Sequence, residues 1–160
     1  MTWAFSEEAF SIGMKRYFNE WKFKHPTPTD FKRVMEKASD IELDWYFEGW
    51  IGTTKQIDYA ISSVVPQGSK TEIIIEKHGG LSMPLEITVI ANGSETTYYI
   101  PVERMRSIKP HDNSTLMKTW PWAYPSYTLI LDNRITDIES ITIDPQNRMA
   151  DADRSQNVYP

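Results

Sequence analysis

The hydrophobic period changes once along this chain, near Ile57, and that change limits the fold more than any other feature. Before it, Phe10, Met14, Tyr17, Phe18 and Trp21 recur at i, i+4, i+7, i+8 and i+11, the spacing of one helix face. After it, Ile57, Tyr59 and Ile61 alternate with Asp58, Ala60 and Ser62, the spacing of a half-buried strand. A single switch of this kind reads as an α+β chain: a short N-terminal three-helix segment followed by an antiparallel β-sandwich. The boundaries expected from it are a helical segment over 1–55, a sandwich over 56–145 and a polar tail over 146–160.

Local signals divide the helical half. Ser6 is placed to cap a first helix, with Glu7 and Glu8 in the turn that favours acids. Lys22, Lys24 and His25 follow at its C-terminal end, and Pro26 discourages continuation. Thr27-Pro28-Thr29-Asp30 opens a second helix as a capping box with proline at the first position, and Phe31, Val34, Met35 and Ala38 form its buried stripe. Leu43, Tyr46, Phe47, Trp50 and Ile51 mark one face of a third, which Gly52 ends.

In the second half, strands are expected at 57–61, 71–77, 85–91, 96–102, 127–131 and 138–143. Gln67-Gly68-Ser69, Gly79-Gly80, Asn92-Gly93 and Asp132-Asn133 supply the turns, and Asn92-Gly93 is the strongest hairpin signal. Residues 109–124 read as a long loop rich in aromatics and proline.

The totals exclude some classes. A net charge of −5 argues against a phosphate-tracking nucleic-acid surface. No apolar run reaches the ~20 residues of a membrane-spanning helix. The absence of cysteine rules out disulfides and thiolate metal sites and fits either redox compartment. The helical half also carries Trp3, Phe5, Phe10, Tyr17, Phe18, Trp21, Phe23, Phe31, Trp45, Tyr46, Phe47 and Trp50. Three short helices cannot bury that much aromatic surface among themselves, so part of it is expected to face a partner or to drive self-association.

One stretch runs Trp21-Lys22-Phe23-Lys24-His25-Pro26-Thr27-Pro28-Thr29-Asp30-Phe31, and later Leu43-Asp44-Trp45-Tyr46-Phe47-Glu48-Gly49-Trp50-Ile51. Ile57-Asp58-Tyr59, Met83-Pro84-Leu85, Tyr99-Ile100-Pro101, Trp120-Pro121-Trp122 and the run from Ile143 to Asp151 continue the pattern. Together these resemble the C-terminal end of gluzincin-type zinc aminopeptidases, the family that includes aminopeptidase N, in its bacterial secreted or periplasmic branch. The resemblance implies that Phe10–Ile51 are the last helices of a thermolysin-like catalytic domain and that Ile57–Pro145 are an appended β-domain. It also implies a missing N-terminal catalytic domain as partner, with zinc as the parent's cofactor. The function expected is a non-catalytic C-terminal portion of a metallo-aminopeptidase that supports the active-site cleft. The alternative is an autonomous β-sandwich binding module for carbohydrate or peptide. The compartment of this chain is left open.

Zinc peptidases need His-Glu-x-x-His on a helix, two imidazoles for the metal and a glutamate as general base. His25, His78 and His111 are followed by Pro26, Gly79 and Asp112, so none begins that motif, and the chain is expected to hold no catalytic residue, metal ligand or cofactor of its own. The remaining candidates are contacts. Arg104 and Arg106 flank Met105 and carry the fork geometry that clamps a carboxylate, though a pairing with a nearby acid is the plainer role. Lys24, with Lys22 and His25, can reach a substrate carboxylate or simply complement a helix end. Trp120 and Trp122, with Tyr124, offer rings for stacking or for anchoring their own loop. The acids Asp40, Glu42, Asp44 and Glu48 read as a solvated helix-capping face, and Asn92-Gly93-Ser94 and Asn113-Ser114-Thr115 match short sequons.

Overall fold

A computed structural model describes residues 6–105, 113–121 and 123–160. It divides into a helical unit, 6–54 with 104–105, and a β unit, 55–103 with 113–121 and 123–160.

The helical unit holds α1 (Glu7–Trp21), α2 (Pro28–Ser39) and α3 (Asp44–Trp50). Ser6 caps α1, its hydroxyl accepting from the Ala9 amide at 3.1 Å. The capping box of α2 is complete: the Asp30 amide donates to Thr27 Oγ1 at 3.3 Å, and the Thr27 amide to the Asp30 carboxylate at 2.9 Å. Those hydrogen bonds hold the Asp30 carboxyl below its usual value.

The face that α1 buries departs from the expected stripe. Gly13 is its fully buried residue, whereas Met14 is 39% and Phe18 65% exposed. The reason is the close approach of α2. A Cβ on Gly13 would meet Met35 Sδ at 2.6 Å, so glycine lets the two helices meet along this line without displacing the buried Met35. Tyr17 then packs edge-on against Phe31 with ring centroids 4.9 Å apart, and the Met14–Phe18 side turns outward. At α3, Leu43 just before the helix and Trp45 within it are buried, while Ile51 just after it is left 65% exposed. Trp45 was not on the expected face, and its indole donates to the Glu42 carbonyl at 2.8 Å.

The β unit contains two mostly antiparallel sheets. The first has the order β1 (Tyr59–Gln67), β2 (Lys70–Lys77), β6 (Ser126–Leu131). The second runs β5 (Ser114–Leu116), β4 (Ser94–Ile100), β3 (Leu85–Ala91), β7 (Ile138–Ile143), β8 (Val158–Tyr159). Ile73, Ile75, Leu129 and Leu131 are buried in the first, and Leu85, Ile87, Val89, Ile141 and Ile143 in the second. The Asn92-Gly93 turn forms as read. Ala91 pairs with Ser94, and φ is 49° at Asn92 and 70° at Gly93, the two positive values that a type I′ turn needs.

Three features differ from the sequence reading. β1 continues through Pro66 to Gln67, because it is an edge strand, where proline costs no ladder bond. The long loop contributes β5, which lies parallel to β4 through pairs such as Tyr98 with Thr115. The segment 146–160, set apart by its polarity, is stitched into the β unit. There β8 pairs with β7, the Ala152 amide donates to the Ile57 carbonyl at 2.9 Å, and the Tyr59 amide donates to the Asp151 carboxylate at 3.2 Å. Backbone and carboxylate acceptors anchor that segment, and apolar periodicity does not register them.

Candidate functional site

The expected contact residues separate into different roles. Trp120 is 5% exposed. Its indole donates to the Tyr124 carbonyl at 3.0 Å, and its ring lies 5.7 Å from Tyr59 and 5.3 Å from Tyr127. It anchors its own loop and offers no open face to a ligand. Tyr124 is 61% exposed, and Trp122 lies outside the described residues. Arg104 pairs with Glu48 at 2.8 Å on the surface of the helical unit, the plainer role expected of it; Arg106 lies outside the described residues. Lys24 places its ammonium 5.7 Å from the centre of the Trp21 ring, and Lys22 places its own 5.9 Å from that of Phe18. Asp44 pairs with Lys32, which holds the carboxyl below its usual value, and Asp40 ends α2 in the left-handed region with φ of 56°. Ion pairs thus engage Asp44 and Glu48, and Asp40 serves as the end of α2.

Three constellations were not singled out from the sequence. In the first, His78 Nε2 lies 3.1 Å from the Glu76 carboxylate and Nδ1 lies 3.9 Å from that of Asp58. Ser62 donates to Glu76 at 3.0 Å, and the His78 and Ser62 contacts hold the Glu76 carboxyl below its usual value. A nucleophilic triad needs the hydroxyl on the imidazole. Here it is on the carboxylate, so no nucleophile is activated. In the second, the Lys77 ammonium donates to Ser82 Oγ at 2.9 Å beside a cavity of about 10 Å³ lined by Tyr59, Met83, Val102 and Trp120. Burial and the nearby Lys55 push the Lys77 amine below its ordinary value. The cavity is at the threshold for one water and has no room for a substrate. The Met83 amide, a possible oxyanion donor, is already bound to Tyr59 Oη at 2.8 Å.

In the third, Asp144 is 2% exposed and its carboxylate accepts from the Arg148 and Met149 amides at 2.9 and 2.7 Å. Its φ is 50°, and Arg154 lies 4.0 Å away. This carboxylate closes the loop that leads back to Asp151. The residue pattern Ile143–Asp151 marks the segment, but only the folded chain shows that the acid is buried.

No group of three or more histidines and carboxylates suited to a metal occurs among the described residues. No helix among them is long and apolar enough to cross a membrane.

What stands out is the apolar surface of the helical unit. Met14, Phe18, Trp50 and Ile51 are 39%, 65%, 37% and 65% exposed, and Phe23 is fully exposed at a positive φ of 62°. No protein-family model matches this chain, and no curated protein matches it.

Proposed function

We propose that this chain is the non-catalytic C-terminal portion of a zinc-dependent aminopeptidase, supporting the catalytic domain and partly walling its active-site cleft. The observation that carries the reading is the aromatic and aliphatic surface on the helical unit. Phe18, Phe23, Trp50 and Ile51 gain nothing from water, and exposed apolar side chains in such numbers mark a surface that meets a partner. The likeness of Trp21–Ile51 to the last helices of such a catalytic domain supplies the identity of that partner: the preceding part of the same protein. Zinc, its ligands and the catalytic glutamate belong to that part. The competing reading, a binding module built on Trp120, Trp122 and Tyr124, loses one of its three rings to burial at Trp120.

The test starts from the source gene. Sequence upstream of Trp3 is expected to encode His-Glu-x-x-His, with a further glutamate on the next helix. Supplying that segment in trans should give chelator-sensitive cleavage of aminoacyl substrates that this chain alone does not perform. An upstream region without the motif would refute the proposal, as would chelator-sensitive activity from a clean preparation of this chain.

A further inference from the structure

Between the end of α1 and the start of α2 lies a groove of about 160 Å³ lined by Glu20, Trp21, Asp30, Arg33, Val34 and Lys37. Its acids are already engaged. Glu20 pairs with Arg16 at 2.6 Å, and Asp30 accepts from the Thr27 amide at 2.9 Å and from its hydroxyl at 2.6 Å. Its cations form no close ion pair: neither Arg33 nor Lys37 has a carboxylate within 4.0 Å among the described residues, although the Arg33 charge is felt at Asp30. One helical turn apart, they project from the same side of α2. Trp21 and buried Val34 supply an apolar wall beside them, and the Lys24 ammonium near the indole adds positive charge. The volume is well below the roughly 300–1,000 Å³ of pockets for drug-sized ligands, so it suits one residue-sized group.

We propose that this groove binds a free carboxylate carried next to an apolar side chain, as at the C-terminal end of a peptide. Arg33 takes the carboxylate through its guanidinium fork, Lys37 adds a second charge-assisted hydrogen bond, and the side chain lies against Trp21 and Val34. Open access to water keeps the affinity weak, since exposed ion pairs contribute little each. The inference stands independently of the peptidase reading, because every residue it uses is in this chain.

The test is calorimetric titration of the whole chain with N-acetyl-leucine, N-acetyl-leucinamide and free leucine, and with an N-acetylated tripeptide ending in leucine. The first and last should bind, and the amide should bind at least about tenfold more weakly, because it lacks the charge that the cations meet. Free leucine binding as well as N-acetyl-leucine would identify an amino-acid site, and the tripeptide binding more tightly than N-acetyl-leucine a peptide-end site; either supports the carboxylate assignment. The double variant Arg33→Gln, Lys37→Gln changes two exposed side chains, so its thermal melt should match the wild type while carboxylate binding falls by about tenfold or more. Equal binding of acid and amide would overturn the proposal. So would unchanged binding in the double variant, or no heat at millimolar ligand from any carboxylate.

Discussion

Replacing Tyr59 with phenylalanine removes one oxygen and two hydrogen bonds from a closed site. The phenol is 1% exposed; it donates to the Met83 carbonyl at 3.2 Å and accepts from the Met83 amide at 2.8 Å. Met83 is itself 4% exposed, so its amide and carbonyl lose both partners without gaining bulk water. A buried polar group left unpaired costs about 1–3 kcal/mol. Two such groups would cost about 2–6 kcal/mol if nothing re-paired them. The adjoining cavity of about 10 Å³, enlarged by the lost oxygen, reaches the size that admits one water, which can re-pair part of the amide and carbonyl. The expected cost is therefore about 2 kcal/mol. For a domain the size of the β unit, each kcal/mol lowers Tm by roughly 4–8 °C, so the midpoint should fall by roughly 8–16 °C. Differential scanning calorimetry of wild type and Tyr59→Phe measures it. A fall of under about 2 °C would show that the Met83 backbone is satisfied some other way and that Tyr59 packs only through its ring.

Burial raises the phenol pKa of Tyr59 and Tyr99 above the ordinary 10.0, so the stability they contribute is present below pH 10 and lost as pH rises beyond it. Absorbance titration near 295 nm should show these two of the eight tyrosines ionising only together with loss of near-ultraviolet circular dichroism, and smooth ionisation of all eight in a folded chain would contradict it. Gly13→Ala should destabilise the helical unit. The roughly 1 kcal/mol gain in helix propensity is outweighed by the ~1–3 kcal/mol cost of forcing a methyl to within 2.6 Å of Met35 Sδ, a side chain with no exposed surface to retreat into; a higher midpoint in urea would refute this. Thr27→Ala removes one half of the α2 capping box and should cost about 1 kcal/mol by chemical denaturation. The depressed carboxyls of Asp30 and Asp44 give a stabilisation present above their unfolded pKa of 3.8 and lost as pH falls below it. Helical circular dichroism of wild type should weaken there, and Lys32→Gln should reduce the loss.

Local chemistry made much of the fold legible. Ser6, Thr27-Pro28 and Asp30 act on neighbours within a turn, so their caps could be placed from the sequence alone. Asn92-Gly93 demands positive φ at two successive residues, and the hairpin followed. The alternation of Ile57 and Tyr59 with Asp58 put both on a buried side, because side-chain direction in a strand has a strict period of two. What the sequence could not supply were the contacts made across distance. The outward turn of Met14 and Phe18 depends on Gly13 meeting Met35, a contact between two helices that the pattern within one helix does not encode. Trp120 reads the same whether its ring faces solvent or Tyr59, and only the packed β unit buries it. Asp144 and Asp151 resemble other surface acids until the folded chain delivers amides to their carboxylates. Arg33 and Lys37 become a candidate site only because Glu20 and Asp30 are claimed by Arg16 and Thr27, a distribution of partners that tertiary structure alone decides.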